Sequence, residues 1–481
     1  MGKWKLFIMG ACGLFMVGCA TMEVEQEEIA PTYESALVEE MQEVEEIQDI
    51  VEIELTQSEK FEQDAIWFVE WVEEMHPIFK MPEVLPEEYA QVRDYFLEVA
   101  PDSEDITDFR FEMERYIRVL RDGHMSGMTF QANEWNINRI NRNLYVTADG
   151  VFLDEGDGVG LRVISIGGIE IEEIIETILS YFYYENSVDR LFVLNEWIQR
   201  GEIHARAGVD TRGEVMVTVS EENGEERSLT ARYVSIQREG ISMFSSTIVP
   251  SSFSTIINYE QIEPDIFYIE LTAFFRDDPF HTQTIEAIES AINEGTRDFI
   301  LDLRDNQGGN WPISISLFEA MGIVLPRTYR EARNSQVYRE MLLPVLEEAQ
   351  DFEEMELWLQ AAEGYLVIEE PRDASEVKNE YDVNLVVLIN EQSYSASVLV
   401  ASMIQDAGLG VVIGERPRQA PQFFAGMTTN IFLPHTGMQV GISSTRITRA
   451  DREADMRYLT PDVVVTSEEA LDRAVTFIKE G

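Results

Sequence analysis

The segment at residues 386–406 constrains the fold most strongly. It reads VVLINEQSYSASVLVASMIQD, which is an apolar run, a small polar turn and a helix-like stretch, with Ser395 where the turn becomes the helix. Amides at a helix start are unpaired, and the helix dipole favours negative charge there. This position would therefore suit a nucleophilic serine and the oxyanion that it creates. In the plainer interpretation, Ser393, Ser395 and Ser397 are turn and cap residues, and the segment alone leaves both readings open.

The C-terminal half alternates between short apolar runs and helix-like segments. Strands are predicted at residues 267–271, 299–303, 384–389 and 411–413, and helices at 282–293, 311–321 and 395–405. Buried strands that alternate with helices predict an α/β fold with a largely parallel sheet. This core is predicted to span residues 251–481. An acidic, partly helical insertion interrupts it at about residues 327–380.

Two further domains are predicted before this core. Residues 59–130 carry apolar side chains such as Phe109, Met113 and Ile117 at helical spacing, which predicts an N-terminal helical domain. Residues 131–250 are predicted to be β-rich. The alternating run at 161–168 ends in two glycines, and Asn223-Gly224 lies between two further strand-like runs, so both predict hairpins.

Charge excludes one class of partner. The chain of 481 residues has a formal net charge of −54. Such a chain repels nucleic acid, so binding to nucleic acid is not expected.

The N-terminus resembles a bacterial lipoprotein signal. Lys3 and Lys5 precede an apolar run at 6–17 that is too short to span a bilayer as a settled helix, and Cys19 follows small residues. The resemblance implies cleavage after residue 18, a lipid on Cys19 and an outward-facing protein anchored to the bacterial cell membrane. An ordinary signal peptide or an uncleaved anchor is the alternative. Residues 19–58 are rich in Glu and predict a solvated acidic tether, although 36–55 could also form a helix.

Five motifs together resemble the C-terminal processing, or tail-specific, serine peptidases. In chain order they are RDGH at 121–124, DLRDNQGG at 302–309, the segment at 390–406, GE at 414–415 and PDVVV at 461–465. The resemblance implies a crotonase-like catalytic core and Ser395 as the nucleophile. It also relates the run at 161–168 to a PDZ-like module, although another β-rich domain is possible because the usual carboxylate-binding loop is not evident.

Residue chemistry favours a histidine base over a lysine base. One branch of the family uses a lysine at a position that corresponds to about Ala420, but no lysine occurs between Lys378 and Lys479. Arginine stays protonated and cannot replace it. The other branch, which resembles the tricorn core protease, uses a histidine at the position of His124. Imidazole can take the hydroxyl proton and return it to the leaving amine, whereas the plainer interpretation makes His124 a helix C-cap.

The remaining site residues follow from the same resemblance. Gly308 or Gly309, with the amide of Ala396, would bind the oxyanion. An orienting acid is expected at Asp455, with Glu453 as the near alternative. The second serine that the family has beside its base is not matched, because Gly123 precedes His124.

The sequence thus predicts a lipid-anchored serine endopeptidase that cleaves unfolded or C-terminal protein segments outside the cytoplasmic membrane. It shows no HExxH, phosphate-loop or dinucleotide motif, and no metal or cofactor is expected. The alternative is a non-catalytic ligand-binding or scaffold lipoprotein on the same fold.

Overall fold

The structure is a computed structural model. It describes residues 55–125, 134–154, 159–221, 223–239, 257–274, 278–309, 313–349, 356, 358–364, 366–369, 376–426 and 428–480. The predicted signal, Cys19 and the predicted tether up to residue 54 lie outside the described residues.

The N-terminal helical region contains three α-helices: α1 (Gln57–Met75), α2 (Tyr89–Val99) and α3 (Ile106–Arg118). Short 3₁₀ turns lie at Pro77–Lys80 and Ala100–Asp102. Thr56 begins α1 with a capping box to Glu59, and Asp105 caps α3. The apolar faces of these helices pack into one cluster with C-terminal residues that include Ile431 and Val440. The helical region therefore shares its core with residues 424–442 of the C-terminal region.

In its described residues, the β-rich region forms an antiparallel sheet and three helices. Its strands are β1 (Glu134–Ile140), β2 (Leu144–Thr147), β3 (Gly150–Leu153), β4 (Arg162–Ile166), β5 (Ile169–Glu170), β6 (Glu214–Ser220) and β7 (Glu226–Glu239). The sheet order is β1-β7-β6-β4-β3-β2, with β5 paired to β4. Both hairpins predicted from the sequence are present, as β4–β5 and β6–β7. The helices are α4 (Ile171–Tyr181), α5 (Ser187–Trp197) and α6 (Gly201–Arg206).

The central sheet of the C-terminal region is largely parallel, as predicted. Its strands are β8 (Ile257–Glu263), β9 (Ile266–Leu271), β10 (Asp298–Asp302), β15 (Asn384–Ile389), β16 (Gly410–Gly414) and β21 (Val463–Val464), and only β8 pairs antiparallel. Helices cover both faces: α7 (Asp278–Glu294), α8 (Ile313–Ala320) and α10 (Ala396–Asp406) pack on one, and α11 (Ser467–Glu480) on the other. The first nine residues of α10 are all buried, which is typical of a helix that is apolar all round.

The predicted insertion takes part in a second sheet. Around it lie β11 (Ile323–Val324), β12 (Tyr329–Arg333), α9 (Gln336–Ala349), β13 (Leu366–Glu369) and β14 (Lys378–Asn379). Four further strands precede β21 in the chain: β17 (Phe423–Ala425), β18 (Thr428–Phe432), β19 (Gln439–Ile442) and β20 (Thr445–Thr448). Strand β12 pairs with β13 and with β20, so the insertion is joined to the C-terminal region through backbone hydrogen bonds.

None of the helices in the described ranges combines the length and the apolar character needed to cross a membrane.

Candidate active site

Ser395 lies in a strained turn between the parallel strand β15 and helix α10. Its φ of 54° and ψ of −116° are unusual for a residue with a side chain. Such strain persists where the surrounding structure imposes it, and it clusters at functional sites. Ser395 makes no side-chain cap hydrogen bond to its helix.

The two neighbouring serines have structural roles. Ser393 Oγ donates to Leu303 O at 2.7 Å, and Ser397 Oγ donates to Asn306 O at 2.8 Å. The plainer interpretation therefore fits Ser393 and Ser397, while the hydroxyl of Ser395 is directed elsewhere.

The hydroxyl of Ser395 meets the imidazole of His124. Ser395 Oγ and His124 Nε2 are 3.0 Å apart, although the two residues are separated by 271 positions in the chain. His124 lies just after α3, on a turn in which Arg121 has a φ of 56°. The structure thus brings together the two side chains that the sequence predicted as nucleophile and base.

The environment of His124 keeps its imidazole neutral. The side chain is largely buried, and this burial lowers the pKa of His124 to about 4, against a smaller opposing effect of Asp122. The ring packs between Phe423, at 5.4 Å between centroids, and Tyr394, at 5.1 Å. These aromatic contacts hold the plane of the imidazole.

Asp122 organises the turn that carries His124. Its Oδ1 accepts the backbone N–H of His124 at 2.8 Å, and its Oδ2 lies 3.2 Å from Nε2 of the fully buried His76. Because His76 Nδ1 accepts the N–H of Ile78, the neutral ring carries its proton on Nε2 and donates it to Asp122. Burial would raise the pKa of Asp122, but its interactions with neighbouring side chains, first among them the hydrogen bond from His76, lower it overall.

Two turns at the carboxyl ends of β10 and β15 are bound to each other beside Ser395. Asp305 N donates to Asn390 Oδ1, and Asn390 Nδ2 donates to Asp305 Oδ1, both at 2.9 Å. Tyr394 N donates to Asn306 O at 3.0 Å. The carboxyl ends of adjacent parallel strands are where α/β proteins commonly form sites.

Only glycine fits at position 308. Its φ is 97°, and a Cβ there would lie 2.5 Å from the Cβ of Ser395 and 2.9 Å from the amide nitrogen of Ala396. The amide of Gly308 donates to Asn306 Oδ1 at 2.8 Å, so it already has an acceptor. Gly308 is therefore the less available of the two predicted glycine donors, and the amide of Ala396 is the first of helix α10.

The structure corrects the predicted acid. Asp455 and Glu453 are exposed, and Asp455 Oδ1 accepts the backbone N–H of Arg457 at 2.8 Å. Nδ1 of His124 has no hydrogen-bond partner among the described residues, so neither carboxylate orients the imidazole. Spacing along the chain suggested Asp455, but the loop before β21 folds into a local turn instead.

Three residues at the site were missed by sequence reasoning. His76 lies outside the five motifs, and Asp122 lies within RDGH at 121–124, where the sequence indicates no role for it. Gln419 is fully buried, and its Oε1 accepts the backbone N–H of Ser395. Its contact depends on how the loop after β16 packs, which no pattern in the sequence indicates.

Within the described ranges, no three His, Cys, Asp or Glu side chains come together as a metal site.

Comparison with known proteins identifies the family. Residues 265–465 match the family model of peptidase family S41. These residues thus form a serine peptidase domain of family S41. This confirms the family that the five motifs predicted, and it favours an enzyme over the non-catalytic alternative. No curated protein matches the sequence.

Several solved structures are similar to this chain. Mature CPAF has a TM-score of 0.55 at 15% identity, over 88% of this chain and 96% of that chain. Mature CPAF complexed with lactacystin gives a TM-score of 0.54 at 14% identity, over 88% and 97% of the two chains. The photosystem II D1 C-terminal processing protease covers a similar share, 87% and 97%, at a TM-score of 0.40 and 13% identity. The S41 peptidase thus shares the mixed α/β fold of mature CPAF.

Proposed function

We propose that this S41 peptidase cleaves peptide bonds with Ser395 as the nucleophile and His124 as the general base. The observation that carries the proposal is the 3.0 Å separation between Ser395 Oγ and His124 Nε2. This is the distance at which a base can take a hydroxyl proton.

The protonation state of His124 supports this role. With its pKa lowered to about 4, the imidazole is neutral at neutral pH, and Nε2 can accept the proton of Ser395. Ser395 Oγ then attacks the peptide carbonyl carbon, and the imidazolium returns the proton to the leaving amine. Water hydrolyses the acyl-enzyme with the same base.

Two amides would bind the oxyanion of the tetrahedral intermediate. They are those of Gly309 and Ala396, because the amide of Gly308 donates to Asn306. The start of α10 adds the positive end of a helix dipole to this position.

A cavity beside the nucleophile turn would receive the substrate chain. Its volume is about 810 Å³, and it lies between the β-rich region and the turn before Ser395. Its lining includes Val146, Leu191, Phe192, Asn195, Gln392 and Arg418. This mixture of apolar and polar groups suits a peptide. The proposed substrates are unfolded or C-terminal protein segments, with the β-rich region acting as a PDZ-like module and the catalytic region having a crotonase-like core.

A fluorophosphonate probe tests the chemistry. We expect the probe to label the intact protein on the peptide that contains Ser395, and Ser395→Ala to abolish labelling. Ser290→Ala, which removes an exposed hydroxyl from α7, is the matched control and should label like the wild type. A folded wild-type protein that resists the probe would instead favour a ligand-binding role.

Substrate choice needs a separate measurement. We expect a denatured protein to be degraded faster than its folded form, and a peptide with a free C-terminus faster than its amidated copy. Equal rates in both pairs would remove the proposed preference and leave the chemistry intact.

We also propose that the protein is lipid-anchored through Cys19 and faces outward. The support is the lipoprotein-like signal at residues 1–19. Growth with a clickable fatty acid should label the wild type, and Cys19→Ala should lose both the label and the membrane association. Labelling that persists in Cys19→Ala would refute this anchor.

A further inference from the structure

Glu185 reaches the site from the β-rich region. It lies in the connection between α4 and α5, far in sequence from both His124 and Ser395. Its backbone N–H donates to Asp189 Oδ2 at 2.9 Å, just after α5 begins. This contact fixes the position from which the side chain extends.

One oxygen of Glu185 holds the loop that supports the nucleophile. Glu185 Oε2 accepts the backbone N–H of Ala420 at 2.6 Å. Ala420 follows Gln419, whose side-chain oxygen accepts the backbone N–H of Ser395. The carboxyl group of Glu185 is therefore linked to Ser395 through Ala420 and Gln419.

The other oxygen of Glu185 fills the space beside the base. A Cβ built on Gly123 would lie 2.3 Å from Glu185 Oε1 and 3.0 Å from the hydroxyl of Tyr394. Gly123 does not have a positive φ, so its backbone does not require glycine. The glycine instead makes room for the carboxyl group next to His124.

The inference from these contacts rests on the Ser395–His124 dyad of the proposed function. We propose that Glu185 is a positioning residue that holds the segments of His124 and Ser395 at hydrogen-bonding distance, and that the missing side chain at position 123 makes this possible. The β-rich region thereby supplies part of the site.

The surroundings of Glu185 favour a neutral carboxyl group. The groups that face it are Asp189, Asp122, Tyr183, Tyr394 and one cation, Arg418, which also pairs with Asp189 at 3.5 Å. Burial first, and then the charge of Asp189, raise the pKa of Glu185 well above its ordinary value. Glutamine, which has the same shape, should therefore be a good substitute.

The rate of fluorophosphonate labelling at Ser395 tests this role, with thermal unfolding recorded for every variant. We expect Glu185→Ala to lower the rate by about 10- to 100-fold, because small displacements of reacting groups cost rates of that order. Glu185→Gln should stay within about threefold of the wild type, since its Oε1 can still accept from Ala420. Glu173→Ala, at an exposed glutamate of α4, is the matched control and should label normally.

A double variant separates positioning from bulk stability. Gly123→Ser alone should lower the rate, because its side chain would collide with Glu185. Combined with Glu185→Ala, the same change should lower the rate little further, because the carboxyl group with which it would collide is gone. Losses that simply multiply would overturn the proposal, as would a Glu185→Ala protein that labels as fast as the wild type.

The readouts keep this inference distinct from the proposed chemistry. If the folded wild type is not labelled, the Ser395–His124 assignment fails. If the wild type is labelled and the variants deviate from these expectations, only the role of Glu185 fails. Should Glu185→Ala not fold, Gly123→Ser decides the matter, because unchanged labelling in that variant contradicts a filled space beside His124.

Discussion

Two buried histidines in different regions have similarly lowered pKa values but differ in their hydrogen-bond partners. In the β-rich region, Nδ1 of His204 lies 2.7 Å from the hydroxyl of Tyr233, and Nε2 lies 2.9 Å from the carbonyl of Ile198. At the site, Nε2 of His124 faces Ser395, and Nδ1 has no partner among the described residues. Burial lowers the pKa of each to about 4.

The difference lies in how each ring is held. His204 has both nitrogens engaged with fixed groups, which is the usual arrangement of a structural histidine. His124 is held by ring packing and by its backbone, so Nε2 can exchange a proton with Ser395 without breaking a structural contact. A depressed pKa therefore does not identify a base; the partner of the imidazole does.

Replacing His124 should give the largest effect. We expect His124→Ala to reduce turnover by about a thousandfold or more, because the general base is lost while oxyanion binding remains. Steady-state hydrolysis and circular dichroism on the same sample measure activity and fold. Near-normal turnover of the folded variant would show that His124, like His204, is a structural residue and not the general base.

Replacing His204 should affect stability rather than chemistry. His204→Ala leaves the hydroxyl of Tyr233 and the carbonyl of Ile198 without this partner, so we expect a loss of about 2–4 kcal/mol in the free energy of unfolding. Denaturant unfolding measures this loss, and turnover of the folded fraction should change less than about twofold. A large fall in turnover at full folding would contradict the structural role.

Asp122 should have an intermediate effect. The two oxygens of the Asp122 carboxylate accept from N–H groups of His76 and His124. Asp122→Asn replaces one of these oxygens with an NH₂ group, which cannot accept. We expect turnover to fall by about 10- to 100-fold through displacement of the imidazole. Asp94→Asn, at an exposed carboxylate of α2, is the control.

The two histidines should behave alike in the dependence of stability on pH. Each folded-state pKa is lowered from 6.5 to about 4, so between these values the unfolded chain binds a proton that the folded chain does not. Their contribution to stability is thus present above pH 6.5 and is lost as the pH falls toward 4, by about 1.4 kcal/mol per pH unit for each histidine. Unfolding at several pH values should give a shallower slope for His204→Gln and for His124→Gln alike. A slope that changes in only one variant would mean that the two environments differ more than their burial indicates.

The smallest effect is expected at Asp455. Its carboxylate is exposed and caps a local turn, so Asp455→Ala should change turnover less than about twofold and stability by about 1 kcal/mol or less. A loss of turnover comparable to that of His124→Ala would restore the acid that the sequence suggested.

The parts predicted from sequence are those determined locally. The apolar runs of β10 and β15 are bounded by turns and alternate with helical segments, so they indicated a parallel sheet. The five motifs in their order predicted that Ser395 and His124 act together. The contacts of His76, Gln419 and Glu185 depend on how loops from separate regions pack, which periodicity does not record. The acid was misassigned because spacing in the sequence does not reveal that Asp455 caps its own turn.

The 271 positions between the imidazole and the hydroxyl also matter during synthesis. A growing polypeptide exposes His124 long before Ser395 leaves the ribosome, and the loop between them must close before the two can react. Under the proposed mechanism, a chain that ends before Ser395 lacks the nucleophile. The dyad of that mechanism therefore requires that translation has passed α10 and that the segments carrying His124 and Ser395 have assembled.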